Sequence, residues 1–332
     1  MMRPSRRRFI AIAAAAGGLP LLPIASARAA DRNPRLRLWS GAALGADATL
    51  QIHHPDPEAA DRLIAASLAE VERLERQLSL YRPDSALCRL NRDGLVEDPP
   101  LDLVRILSES RELSELTGGA FDVTVQPLWA LYADHFSKPG AAPSGPSAEA
   151  LAAAVAGIGQ DALDVREDRI RLTRPNMSVT LNGIGEGYVT DRIVDLLRAG
   201  GVERAMVNMG EIYALGSHPD GGPWSIGLED PRATGRLAER VALQDRAVAT
   251  SAGNGTTFDP NRRFNHLFEP RTGHTSWRWL SVSVEAATTT EADALSTAFS
   301  VMPEEATADV VRRRGLVAHF MRPDGSRLVQ RA

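Results

Sequence analysis

Residues 178–216 read SVTLNGIGEGYVTDRIVDLLRAGGVERAMVNMGEIYALG. The β-prone residues 179–181 predict a short strand, and glycines follow at positions 183, 185 and 187. Apolar residues then recur at helical spacing until Gly200 and Gly201, which end a predicted helix. A second apolar run, residues 204–208, predicts a buried strand before Gly210. This order of strand, turn, helix and strand favours a mixed fold of helices and sheet.

The glycine turn of this stretch has two interpretations. A strand, a glycine turn and a helix in succession let backbone N–H groups approach a phosphate at the helix N-terminus. The spacing, however, is G-x-G-x-G, whereas dinucleotide-binding folds use G-x-G-x-x-G. The turn is therefore either a phosphate cradle or only a tight connection between packed elements.

Residues 1–30 have the features of an export signal. Residues 5–10, SRRRFI, form a basic start that resembles a twin-arginine signal, and an Ala-rich apolar run and small-residue cleavage sites follow. A membrane anchor is disfavoured, because the run is short and contains Pro20 and Pro23. We therefore expect an exported, soluble periplasmic protein that does not itself span a membrane.

Composition limits the function classes for the rest of the chain. Of the 332 residues, 43% are hydrophobic and 24% charged, which is enough for a packed core. The net charge of −4 falls to −9 when residues 1–30, with five arginines and no acid, are removed. Such an acidic protein is not expected to bind nucleic acid. Cys88 is the only cysteine, which excludes an intramolecular disulfide.

Residues 31–332 predict a single compact α+β domain. Amphipathic helices are expected after Asp56 as far as Leu78, over 102–117 and over 147–155, and a further helix is expected over 288–302. Short alternating runs predict strands between them, and residues 137–146 predict a surface loop. We find neither an internal repeat nor a linker that would divide this part of the chain.

Two groups of polar residues are candidates for chemistry. Asp293 and Thr297 are four residues apart in a predicted helix, so both could supply oxygen to a hard cation such as Mg²⁺. The alternative is a helix cap, Thr290 with Asp293, and a solvated hydroxyl. His266 lies in a polar loop and is a candidate general base, although a lone histidine also serves to hold its own loop.

Five motifs in sequence order together resemble the periplasmic FAD:protein FMN transferases, the ApbE family. The resemblance runs from about residue 39 to 302. The motifs are LSLYRPDSALCRLN (78–91), GAFDVTVQPLW (119–129), LNGIGEGYVTD (181–191), NHLFEPRTG (265–273) and EADALSTAFSVM (291–302). The form NGIGEGY, together with the signal, is similar to the NosX-like branch, which serves nitrous oxide reductase maturation.

The resemblance implies a fold, an activity and a site. The fold would be ApbE-like (T-fold-like), with the active site in a central cleft. The activity would be Mg²⁺-dependent transfer of FMN from FAD to a Thr or Ser hydroxyl of an acceptor protein, with release of AMP; in the NosX-like branch the acceptor is a membrane-bound electron-transfer protein. His266 would be the base, and Mg²⁺ would be held by Gly183, Asp293 and Thr297. FAD would be contacted by Leu44, Tyr81, Ala120, Phe121, Asp122, Thr180, Glu186 and Leu267.

Three departures from the family pattern keep other functions open. Leu44-Gly45-Ala46 stands where the family has Met-Gly-Thr, Thr180 where it often has Asp, and Glu269-Pro270 where it has Asp-Pro. A carrier or assembly chaperone that only binds FAD is one alternative, and an FAD pyrophosphatase is another. The retained Asp293, Thr297 and His266 favour transfer.

Overall fold

The structure, a computed structural model, describes residues 35–233 and 235–332. The expected signal of residues 1–30 lies outside the described residues. Within them, thirteen strands and eight α-helices confirm the expected α+β class. No helix in this part of the chain is both long enough and apolar enough to cross a membrane.

The elements follow one another from the amino-terminal hairpin to the carboxy-terminal hairpin, with short 3-10 turns at Val123–Val125 and Gln160–Ala162. They are β1 (Leu36–Ala43), β2 (Ala46–His53), α1 (Pro57–Leu78), α2 (Ala86–Asp93), β3 (Leu95–Glu97), α3 (Leu101–Leu116), α4 (Gln126–Ser137), α5 (Ala148–Val155), β4 (Leu163–Val165), β5 (Arg169–Leu172), α6 (Gly185–Ala199), β6 (Arg204–Asn208), β7 (Ile212–Leu215), β8 (Trp224–Glu229), β9 (Leu237–Leu243), β10 (Arg246–Ala252), β11 (Ser281–Ala286), α7 (Thr289–Phe299), α8 (Glu304–Arg314), β12 (Val317–Met321) and β13 (Arg327–Arg331).

The chain groups into two compact units, each built from three segments. The first comprises the described residues up to Arg73 together with those of Glu186–Ala249 and Glu285–Asp293. The second comprises Leu74–Gly185, Thr250–Val284 and Ala294–Ala332. The assignment of residues 31–332 to a single domain stays a prediction.

The first unit is built on antiparallel strands in the order β1-β2-β6-β7-β10. The β2 sequence ADATLQIH alternates, so Ala46, Ala48, Leu50 and Ile52 are buried on one face. The hairpin of β8 and β9 contributes Trp224 and Ile226 to a core shared with β7 and β10.

The second unit contains the small antiparallel sheet β3-β5-β4 and the hairpin of β12 and β13. One of its cores joins Leu128 and Tyr132 of α4, Leu151 of α5 and Phe268. The Tyr132 hydroxyl donates to the carbonyl of Gly273 at 3.3 Å, which ties α4 to the 265–273 loop. This core therefore supports the segment that contains His266.

The predicted strand at residues 179–181 is wrong. The side chain of Asn91 forms hydrogen bonds with both backbone groups of Val179: its Oδ1 accepts the N–H at 2.6 Å, and its Nδ2 donates to the carbonyl at 2.8 Å. The N–H of Thr180 donates to the carbonyl of Val123 at 2.8 Å. A side chain 88 residues away thus replaces a strand partner, and the segment stays extended without joining a sheet.

Candidate active site

A recess in the second unit collects residues from four separate parts of the chain. Seven of the expected site residues lie around it. The lining residues are Ala120, Phe121, Asp122, Val123, Val125, Thr180, Gly183, His266, Phe268, Pro270 and Thr297.

The first wall follows the turn that ends α3. Gly118 and Gly119 have φ values of 61° and 84°, which glycine adopts without strain, and they turn the chain into the 120–125 segment. Asp122 then accepts the N–H and the hydroxyl of Thr124, at 2.8 and 2.6 Å, and the N–H of Gln160 at 3.2 Å. Burial raises the pKa of the Asp122 carboxyl, and these hydrogen bonds oppose the rise. Asp122 therefore holds the wall in shape as well as lining it.

The second wall brings the glycine turn against α7. A Cβ added to Gly183 would lie 2.9 Å from Oγ1 of Thr297, closer than side chains normally approach. Only glycine therefore allows the backbone to lie this near the hydroxyl. Thr180 lines the same side and uses its Oγ1 to accept the N–H of Asn182 at 3.2 Å.

Hydroxyl groups hold Thr297 from behind. Oγ of Ser251 lies 3.2 Å from Oγ1 of Thr297 and 2.7 Å from Oγ of Ser296. Ser296 is fully buried. Because a hydroxyl donates one hydrogen and accepts others, the Ser251 hydroxyl can accept a hydrogen bond from the Thr297 hydroxyl, which leaves the lone pairs of the Thr297 oxygen for a ligand.

His266 also lines the recess. Its Nδ1 lies 3.2 Å from the carbonyl of Thr256. A carbonyl only accepts, so Nδ1 carries the hydrogen and Nε2 keeps the lone pair. Burial lowers the pKa of the imidazole below its ordinary 6.5, and the bond to Thr256 opposes this only in part. The neutral ring is the form that can take a proton at neutral pH.

The loop that contains His266 is fixed by its neighbours. Asn265 is fully buried; it accepts the N–H of Leu267 at 2.9 Å and donates to the carbonyl of Ser276 at 2.6 Å. Gly273 has a φ of 73° and packs so closely that a Cβ would lie 2.9 Å from both Leu128 and Leu151. The imidazole is therefore mounted on an ordered loop.

In the first unit, Asp293 lies against the start of α6. Its Oδ2 accepts the N–H of Gly187 at 3.0 Å, and burial raises the pKa of its carboxyl. Burial also raises the pKa of Glu186 to about 8, and the charge of Asp293 adds to the rise. The Glu186 carboxylate lies where the Cβ of any side chain at position 210 would be, and Gly210 has a φ of 110°. Gly210 therefore makes room for this acid.

The predicted cap of α7 by Thr290 is wrong. The helix begins at Thr289, and the Asp191 carboxylate on α6 accepts the N–H groups of Thr289 and Thr290, both at 2.8 Å. Asp191 lies 98 residues from Thr289, so no local pattern indicates it. Asp293 and Thr297 both lie on α7, which confirms the expected spacing of four residues on one helix.

Five expected site residues do not line the recess: Glu186 and Asp293, described above, and Leu44, Tyr81 and Leu267. Tyr81 is 57% exposed, whereas Leu267 is only 4% exposed. Leu44 lies in the β1–β2 turn of the first unit with a φ of 54°. Among the described residues, no group of three or more His, Cys, Asp or Glu side chains could together hold a metal ion. A metal here would need hydroxyl or carbonyl ligands as well.

These residues and motifs match one protein family across most of the chain. The sequence model of the ApbE family matches residues 44–320. The chain belongs to the ApbE family. It is therefore an enzyme, a transferase.

Individual ApbE proteins agree with this assignment. The chain is 32% identical to the FAD:protein FMN transferase of Haemophilus influenzae, over 74% of each chain. It is 33% identical to that of Vibrio cholerae, over 71% of this chain and 72% of the relative. The apo structure of the Pseudomonas stutzeri flavinyl transferase ApbE superposes with a TM-score of 0.76 at 30% identity, covering 89% of this chain and 94% of that one.

Sequence reasoning missed residues that support the site from behind. Ser251 and Asp191 hold Thr297 and the start of α7, and Val123, Val125, Phe268 and Pro270 complete the recess. The last four lie within or beside the quoted ApbE motifs, so the motifs themselves were the available signal. Ser251 lies in no motif, so the sequence contains no signal for its role.

Proposed function

We propose that this ApbE protein is an Mg²⁺-dependent FAD:protein FMN transferase that moves FMN from FAD to a Thr or Ser hydroxyl of an acceptor protein. The observation that carries the proposal is the recess, which gathers His266, Thr297 and the glycine turn with Asp122 and Thr180. The relatives named as FAD:protein FMN transferases support it. FAD, the acceptor and the metal are all part of this proposal.

The residues fit a magnesium ion. The proposed ligands are the Asp293 carboxylate, the Thr297 hydroxyl and the Gly183 carbonyl, which are hard oxygen donors of the kind Mg²⁺ prefers. The fit rests on the close approach of Gly183 to Oγ1 of Thr297, 2.9 Å from the position of a Cβ, which only glycine permits. When bound, Mg²⁺ would neutralise negative charge on the phosphoryl oxygens.

His266 supplies the base. Its Nε2 takes the proton of the acceptor hydroxyl as that oxygen forms a bond to the phosphorus of the FMN half. The bond from this phosphorus to the bridging oxygen of the pyrophosphate breaks, and AMP leaves with that oxygen. A positioned base typically accelerates such a step by about 10²–10⁴-fold. The lowered pKa of His266 keeps Nε2 unprotonated at pH 7.

The wall residues bind and orient the flavin donor. Ala120 and Phe121 line the recess, and Asp122 beside them lines it too and accepts the N–H of Thr124 at 2.8 Å. Thr180 offers a hydroxyl where the family often has a carboxylate. Contacts from Leu44, Tyr81, Glu186 and Leu267 to FAD stay predictions.

We also propose a periplasmic location. The SRRRFI sequence of residues 5–10 supports it. Replacing both Arg6 and Arg7 by Lys should leave the protein in the cytoplasm, while Arg3→Lys should not. Export of the double variant at the normal rate would contradict this. An electron-transfer acceptor in nitrous oxide reductase maturation is proposed on the NGIGEGY motif together with this signal.

The test is transfer itself. The purified protein is incubated with FAD, Mg²⁺ and an acceptor domain that carries a flavinylation threonine, and covalent flavin is detected on the denatured acceptor. The proposal expects labelled acceptor, and none with the threonine replaced by alanine. Tight FAD binding without turnover would instead indicate a carrier. AMP and FMN released equally without acceptor would indicate a pyrophosphatase.

A further inference from the structure

Asp191 of α6 binds the first turn of α7, the helix that contains Asp293. Its Oδ1 accepts the N–H of Thr289 at 2.8 Å. Its Oδ2 accepts both the N–H of Thr290 at 2.8 Å and the Thr290 hydroxyl at 2.6 Å. One carboxylate therefore makes three hydrogen bonds to the helix start.

This arrangement adds to an ordinary helix cap. The first N–H groups of a helix have no partner within it, and the residue just before the helix usually accepts them. At α7, Thr288 makes this ordinary bond, since its Oγ1 accepts the N–H of Glu291 at 3.2 Å. The N–H groups of Thr289 and Thr290 go instead to Asp191 on a second helix, whose carboxylate also suits the positive end of the helix dipole. The start of α7 is thus fixed to α6 as well as to its own preceding loop.

The same face of α6 holds α7 at a second point. Gly187 lies four residues before Asp191, so the two share a helical face. The N–H of Gly187 donates to Oδ2 of Asp293 at 3.0 Å. A Cβ on Gly187 would overlap the carbonyl oxygen of Thr289 and lie 2.8 Å from Cβ of Asp293. The backbones of α6 and α7 are therefore in contact next to the Asp293 carboxylate.

We propose that Asp191 is a positioning residue that sets the affinity for the divalent cation through α7. This inference rests on the proposed function, in which Asp293 is a metal ligand. The Gly187 bond fixes one oxygen of Asp293, and the Asp191 bonds fix the rotation and height of the helix from which that side chain projects. Without Asp191 the first turn of α7 loses these three hydrogen bonds and keeps only the Thr288 cap, so the turn can shift and the Asp293 carboxylate would lose its alignment.

The test measures metal binding without turnover. Mn²⁺, detected by its electron paramagnetic resonance signal, is titrated into the full-length protein in the absence of FAD. Asp191→Asn keeps the size of the side chain but removes one acceptor, and Thr290→Val removes only the hydroxyl bond. Asp56→Asn is the matched control, because Asp56 caps α1 by accepting the N–H groups of Glu58 and Ala59 at 2.9 and 3.2 Å.

Asp191→Asn is expected to weaken Mn²⁺ binding by about tenfold, and Thr290→Val by less, since groups that orient a ligand typically change metal affinity by about 10–100-fold. Both caps contribute to thermal stability, but Asp56→Asn should leave the Mn²⁺ affinity unchanged. Folded Asp191→Asn with wild-type affinity would overturn the proposal; if that variant does not fold, unchanged affinity in Thr290→Val would do so. Asp293→Ala tests the premise separately: if it binds Mn²⁺ normally, the metal assignment fails whatever Asp191 does.

Discussion

At the scale of single residues, the loss of His266 should slow the chemical step directly. We expect His266→Ala to lower kcat for FMN transfer by about 10²–10⁴-fold, because the acceptor hydroxyl loses its base. FAD affinity should change little, since the ring contributes one edge of the recess. His274→Ala, a histidine exposed in the neighbouring turn, is the control. Equal effects of the two substitutions on kcat would count against the assignment.

The protonation of His266 should also set the acidic limb of the pH profile. Burial disfavours the charged ring, so the pKa of His266 lies below its ordinary value of 6.5. The neutral, active form therefore predominates at pH 7 and is lost as the pH falls through this lowered pKa. kcat measured between pH 5 and pH 8 should be highest at neutral pH and decline on the acidic side. A decline that begins above pH 7 would contradict the prediction.

Ser251 should affect Mg²⁺ binding through its hydrogen bond to Thr297. We expect Ser251→Ala to reduce the apparent affinity for Mg²⁺ by about fivefold, equivalent to about 1 kcal/mol for one hydrogen bond. The measurement is transfer rate against Mg²⁺ concentration. Ser283→Ala is the matched control, because Ser283 forms a similar hydroxyl pair with Thr250 at 2.7 Å but lies outside the Thr297 chain. An unchanged Mg²⁺ dependence in Ser251→Ala would show that Thr297 needs no such support.

At the scale of elements, the packing of α6 on α7 depends on Gly187. Gly187→Ala should lower the free energy of unfolding by about 1–3 kcal/mol, because its Cβ would overlap the Thr289 carbonyl. Gly185→Ala is the control, since a Cβ there meets only Leu181 at an ordinary 3.5 Å. Urea unfolding of both variants provides the comparison. Equal stability of the two would mean that the helices adjust without cost.

Elements whose signals are local could be predicted from the sequence, and those with distant partners could not. Asp56 caps α1 as its position before Pro57 indicates, and Ser147 caps α5 by accepting the N–H of Ala150. The strand expected at 179–181 fails because Asn91 takes its backbone groups. The cap of α7 was misassigned because the helix begins at Thr289, before Thr290: Thr288 accepts the N–H of Glu291, and Asp191 on another helix accepts the first two N–H groups.

At the scale of the whole molecule, the family motifs predicted the site better than the residues alone. Asp122, Thr180, His266 and Thr297 are far apart in sequence, and each by itself is compatible with an ordinary structural role. The order of the motifs linked them, and they surround one recess. The expected residues that do not line it are Leu44, Tyr81, Glu186, Leu267 and Asp293. The exposure of Tyr81 and the burial of Leu267 depend on packing that no motif encodes.

The central claim is that phosphoryl transfer ends on a protein hydroxyl. The most direct measurement is to quantify AMP and acceptor-bound flavin in the same reaction, with wild-type protein and with Asp293→Ala. We predict one AMP released for each covalent flavin in the wild type, and neither product with Asp293→Ala. AMP formed well in excess of covalent flavin, or full activity in Asp293→Ala, would contradict the account.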